Sequence, residues 1–158
     1  MYEVSGDLQE IKKALTDLGL ERNTRTIQRR ILRRLGSKAR TVAKRSYRAN
    51  LGKETGELYR SIRHRLTKKG SVIISPTGGK NLMKGNVLQS GAVIRPTSGE
   101  FLTYQINGKW IKSRVSIIRP RNWFYQAVDA FANSAEAQRY IEEQLEREVT
   151  RIWERANK

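Results

Sequence analysis

The sequence predicts an α+β fold, an antiparallel sheet of two hairpins packed against a long basic N-terminal helix and a C-terminal helix. Three observations predict it. Ile27, Ile31, Leu35, Ala39, Val42 and Ser46 recur every three or four residues, the period of an amphipathic helix. Two stretches alternate around turn signals, IRHRL-TKKG-SVIIS and FLTYQI-NG-KWIKSR, the pattern of half-buried hairpins. A helical period then returns after residue 122. Helices at both ends of a run of strands are expected to pack on one antiparallel sheet. At 158 residues the whole of 1–158 fits one domain.

Taken in order, residues 1–21 predict a short acidic helix, with Leu8, Ile11, Leu15 and Leu18 on one face, Asp7 as cap and Gly19 as stop. The long basic helix follows within 22–51. Gly36 inside it costs about 1 kcal/mol relative to alanine, which points to a bend or a close approach there. Gly52 to Gly56 end it, and the region 52–121 is expected to hold the sheet. Residues 60–75 read as the first hairpin, with a basic outer face of Arg63 and Arg65. Five glycines (78, 79, 85, 91 and 99) and two prolines make 76–99 a long mobile loop, with a short strand at Ala92 to Ile94. Asn107-Gly108 tolerates the positive φ angles of a tight hairpin turn. Asn122 is expected to cap a helix from Trp123 that fills 122–158, with a weak spot at Asn133-Ser134 and i, i+4 ion pairs that leave its acids on a solvated face.

Charge is the strongest single property. Between Arg22 and Lys69 lie 17 of the 32 Lys and Arg but only two of the 15 acids, Glu54 and Glu57, a net of +15 of the chain's +17. Such a segment repels copies of itself and attracts polyanions or acidic protein surfaces. An apolar share of 37% suggests an elongated shape or a subunit that gains burial by association.

Little points to chemistry. With no cysteine there are no disulfides or thiolate metal sites, and assembly in a reducing cytoplasm is expected. The opening residues carry no secretory pattern, and no stretch approaches the roughly 20 apolar residues of a membrane span. The single histidine, His64, lies on an alternating strand and reads as a packed or surface residue rather than a catalyst. Glu54, Glu57 and Glu100 lack metal-ligand spacing. SPTGGKN is not a phosphate-binding loop, because Ile74 and Asn81 stand where that motif needs glycine and a hydroxyl. No enzyme, no cofactor and no small-molecule substrate are expected.

The order of motifs adds a family. KETGELYRSI after the basic helix, with Thr55, Gly56, Leu58, Ser61 and Ile62, and RPRNWF before the last helix, with Arg119, Pro120, Trp123 and Phe124, resemble the neck and tail-completion proteins of tailed bacteriophages grouped with minor tail protein Z. The resemblance covers roughly residues 20–132. It implies a structural virion protein of the neck or tail region, assembled in the host cytoplasm. Its partners would be copies of itself in a cyclic ring, six-fold by analogy, and the neighbouring connector or stopper and tail-terminator or tail-tube proteins, with packaged DNA passing through. The alternative is a basic nucleic-acid-binding protein of the ribosome or nucleoid. Under the first reading Arg25, Arg29, Arg33, Arg40 and Arg45 meet acidic surfaces of adjacent rings, and Lys80, Met83, Lys84 and Val87 dock the loop on a neighbour. Core packing is expected for Trp110, Trp123 and Trp153, with Trp110 the most exposed candidate of the three because it follows a hairpin turn.

Overall fold

The computed structural model describes residues 2–4, 16, 21–51 and 56–156. The acidic helix expected over 1–21 therefore lies outside the described residues apart from Tyr2–Val4 and Thr16, and so does Thr55 of the family motif. The elements are β1 (Tyr2–Val4), α1 (Glu21–Leu51), α2 (Glu57–Ser61), β2 (Ile62–Leu66), β3 (Val72–Pro76), α3 (Gly79–Ser90), β4 (Ala92–Ile94), β5 (Leu102–Ile106), β6 (Lys109–Ser113), β7 (Ser116–Ile118), α4 (Tyr125–Ala132) and α5 (Ala135–Ala156). The fold is α+β, with long helices near both ends and antiparallel strands between them.

The expected long helix is α1, and its apolar repeat is the core. Leu32, Leu35, Ala39, Ala43 and Tyr47 are buried against Leu58, Ile62, Val72, Ile74, Trp123, Phe124, Val128 and Phe131. Towards its N-terminus Ile27 and Ile31 are buried against Ile141, Leu145, Val149 and Ile152 of α5. Gly36 marks close packing rather than a break. A Cβ there would stand 2.6 Å from Val72 Cγ1 and 3.0 Å from His64 Cδ2, so only glycine lets the helix approach the sheet this closely.

The first hairpin forms where the sequence places it, and its register pairs Ile62 with Pro76 through Leu66 with Val72. β1 adds itself to β3, giving a three-stranded sheet of order β1-β3-β2. The second hairpin forms at Asn107-Gly108, whose φ angles are 49° and 80°. It does not join the first sheet. β5 pairs with β6 and β4 with β7, so Ala92 to Ile118 fold as one nested ribbon, an arm whose strands pack chiefly on each other.

Two expectations are corrected here. Residues 76–99 are not one loop, because α3 occupies twelve of them. Its interior is built of Lys, Leu, Met, Val and Gln with a single glycine, and the other glycines serve its ends: Gly78 and Gly91 flank it at φ 83° and 77°. Gly85 is buried where a Cβ would stand 2.9 Å from the Pro76 ring. Asn122 does not cap the terminal helix. It adopts φ 46°, turning Trp123 into the core, and the Phe124 N–H that precedes α4 donates instead to the buried Gln89 Oε1 at 2.7 Å. The helix expected over 122–158 divides at the weak spot, where the Ser134 hydroxyl accepts from the Ala137 N–H at the start of α5.

Most of the described residues of the two sequence motifs are packed into the fold. Gly56 sits at φ 68° before α2, Leu58 and Ile62 are buried, and the Ser61 hydroxyl donates to Leu58 O at 2.7 Å. Trp123 is 1% exposed and meets Tyr47 edge-on at 5.3 Å and Phe124 at 5.1 Å. Pro120 packs beside Gly91, where a Cβ would stand 3.0 Å from its ring, and Arg119 is exposed.

Candidate functional site

Packing divides the cations of α1 into two sets. Arg30, Arg34 and Lys38 face α5. Arg30 Nη1 lies 2.9 Å from Glu148 Oε2, Arg34 Nη2 lies 3.3 Å from Glu148 Oε1, and Arg151 Nη1 approaches Glu148 Oε2 at 3.4 Å. Arg34 Nη1 also donates to Gln144 Oε1 at 2.7 Å. Glu148 and Gln144 are 1% and 2% exposed, so the acids of the last helix do not all lie on a solvated face. A carboxylate at this place is buried because two arginines across the interface and one on its own helix satisfy it. Lys38 pairs with the exposed Glu136 at 3.1 Å.

The second set faces outward. Arg33, Arg40, Lys44 and Arg48 follow one another at seven, four and four residues, which places them along one side of the helix. Arg63 of β2 joins them. No carboxylate among the described residues forms an ion pair with any of the five. Lys44 Nζ and the Arg48 guanidinium both lie 4.6 Å from the centre of the Tyr59 ring, which steadies their side chains. Burial, and then the positive charges of Arg40, Arg63 and Arg48, hold the Lys44 ammonium below its ordinary pKa. His64 lies beneath the stripe. Burial first, then Arg40 and Arg33, lower its pKa, and its Nδ1 has no hydrogen-bond partner among the described residues. Of the packed and surface positions that the strand pattern allows, the fold gives it a half-buried one.

Of the five arginines singled out in the sequence, Arg33 and Arg40 belong to this stripe. Arg29 continues it by one helical turn and is half-buried, whereas Arg25 is exposed near the N-terminal end. Arg45 is exposed on the side of Lys38 and Thr41. Lys44 and Arg48 were legible from the same four-residue step. Arg63 and Tyr59 join only through the fold.

A second surface is the arm. Val93, Ile94, Phe101, Ile106, Trp110, Val115 and Ile117 are seven of the eleven large apolar side chains that the described chain exposes. Trp110, expected in the core, is instead 72% exposed just after the turn, because its strand pairs with β5 of the arm and not with the first sheet, and Val93 and Ile117 face each other across the ribbon at 60% and 68%. Arg95, Lys109, Lys112 and Arg114 lie along the same ribbon, and Glu100 is its one acid, paired with Arg114 at 2.6 Å. Trp153, expected in the core, is instead 71% exposed on α5, because the buried stripe of that helix is formed by its neighbours Val149 and Ile152.

The four docking candidates of 76–99 share one face of α3, at the spacing of Lys80, Met83, Lys84 and Val87. The first three are exposed and Val87 is half-buried. Lys84 and Val87 border a groove of about 430 Å³ with Tyr47, Leu51, Leu58 and Ile118, and Lys84 Nζ reaches Glu57 at 3.5 Å.

Among the described residues no group of three His, Cys, Asp or Glu could hold a metal ion, and no helix is long and apolar enough to cross a membrane. No protein-family model matches the chain, and neither a curated protein nor a solved structure does. The functional reading therefore rests on the motifs and on these surfaces.

Proposed function

We propose that this chain is a structural component of a tailed-bacteriophage neck, a ring-forming tail-completion protein that joins the head connector to the tail. The observation that carries the reading is the arm. A two-stranded ribbon is marginal in water by itself, yet this one is encoded with a strong turn and exposes most of the large apolar side chains found at the surface. Clustered exposed apolar groups of this kind mark a surface that another protein covers. In a ring each copy offers its arm to the next through a heterologous contact, and closure leaves no arm bare. The motif residues Gly56, Leu58, Ser61, Ile62, Pro120, Trp123 and Phe124 support the same reading, since they form the scaffold from which the arm departs.

The test is the mass of the purified chain by light scattering, followed by electron microscopy, alone and with the connector and tail-tube proteins of the same particle. A cyclic oligomer, formed alone or on those partners, is expected. A monomer under every condition overturns the proposal.

A further inference from the structure

The arm leaves the outward cations unexplained. We infer that the stripe of Arg33, Arg40, Lys44 and Arg48, completed by Arg63 of β2, is a binding track for the phosphate backbone of double-stranded nucleic acid.

The ligand must be anionic, and no carboxylate among the described residues pairs with the stripe. Each copy carries a net +17, with all of its own acids already counted, so adding copies to an assembly adds positive charge without neutralising it. Within the fold, Glu148 is committed to Arg30, Arg34 and Arg151, and Glu136 to Lys38. Neither reaches the stripe.

Shape and charge density then choose among anions. From residue 33 to residue 48 the helix rises about 22 Å at ~1.5 Å per residue, a straight row rather than a pocket. A small anion would occupy one or two of these groups and leave the rest opposed only by each other. A duplex places one negative charge per ~1.7 Å of its axis, so a segment of that length offers about a dozen phosphates to five cations. An acidic helix would have to present a carboxylate at nearly every exposed turn to do the same. The site is also pre-formed. Lys44 and Arg48 rest on the Tyr59 ring at 4.6 Å, and Arg63 comes from a strand rather than from a flexible loop. Beyond the burial that chiefly lowers the Lys44 pKa, Arg40, Arg63 and Arg48 repel its ammonium, and a bound phosphate offsets that repulsion. The stripe consists of arginine and lysine without asparagine or glutamine, which suits backbone contact and no reading of base sequence.

The experiment is fluorescence anisotropy of the intact chain with a labelled DNA duplex of about 24 base pairs over a salt series. With five phosphates neutralised, the logarithm of the binding constant falls against that of salt with a slope of about −4.5 per bound subunit. Replacing all five residues by glutamine should flatten the slope to within about 1 of zero, and each single replacement should reduce it by about 1. The single variants keep the test decisive if the fivefold variant does not fold. A control with Lys68, Lys69, Lys109 and Lys112 changed to glutamine should keep a slope within about 1 of wild type. The inference is overturned if the stripe variants retain the wild-type slope, if the control flattens it equally, or if the chain does not bind the duplex. It is overturned too if polyglutamate of equal charge displaces the duplex at lower concentration, which would assign the stripe to an acidic protein. Mass measured on the same samples separates this result from the ring, since either can fail alone.

Discussion

Gly36 stands where α1 crosses the first sheet, and substitution there sets two effects against each other. Alanine is the better helix former by about 1 kcal/mol. Its methyl group would meet Val72, which is fully buried and has nowhere to go. Overpacking of a tight core costs about 1–3 kcal/mol and should win. Gly36→Ala is expected to lower the unfolding free energy in urea, and a gain in stability would show that the contact is softer than its geometry. His64, on the other side of the same contact, makes stability depend on pH. In the unfolded chain it titrates near its ordinary value of 6.5, and in the fold burial, Arg40 and Arg33 lower that value. Between the two pKa values the unfolded chain binds more protons, so stability falls as pH drops below 6.5 through the folded pKa. Comparing urea unfolding at neutral and mildly acidic pH should show this loss in the wild type and a smaller one in His64→Gln. Equal losses would sink the assignment.

At the scale of the elements, α5 is held to α1 by a polar centre set within an apolar seam. Glu148 is the hinge of that arrangement, since three arginines converge on it while Ile27 and Ile31 pack beside it. Removing a buried partner strands the charges opposite it, at a cost of about 3–5 kcal/mol when they are wholly enclosed. Arg30 and Arg34 retain 37% and 44% of their side-chain exposure, so water recovers part of the loss. Glu148→Ala is expected to cost about 2–3 kcal/mol. Glu136→Ala, which breaks an exposed pair, should stay below about 1 kcal/mol. Equal effects in thermal or urea unfolding would mean that the burial of Glu148 does not matter. The elements themselves were readable to differing degrees. Asn107-Gly108 marked its turn because few other pairs accept two positive φ angles. The glycines of 76–99 misled, because a glycine that ends a helix and one that loosens a loop are the same residue in sequence, and only the contacts of α3 tell them apart.

For the whole molecule, the core and the exposed apolar surface of the arm are separate. The core lies between α1, the first sheet, α4 and α5, while the arm contributes little to it. Ile106→Ser, Trp110→Ser and Ile117→Ser combined should therefore change unfolding of the isolated chain by less than about 1 kcal/mol, the range of surface substitutions. If the proposed ring forms, the same variant should abolish it, with the mass read by light scattering. A variant that assembles normally would remove the arm from the interface, and one that unfolds would place it in the core. Charge acts at this scale as well. The +17 of each copy opposes association, so assembly is expected to strengthen as salt screens it, the opposite of the salt dependence at the phosphate track.

The sequence by itself determined the α+β class, the apolar face of α1, the two hairpins with their turns and the existence of a cationic surface. Each is a matter of period, turn chemistry or charge count within a few dozen residues. Only the tertiary structure decided that Glu148 is buried, that Arg30 and Arg34 are spent on it while Arg33 and Arg40 are not, that Arg63 joins the stripe, and that the second hairpin stands apart from the first sheet. The physical reason is that periodicity says which side of an element is apolar or charged. Which other element lies against that side depends on contacts between residues such as Arg30 and Glu148, more than a hundred positions apart.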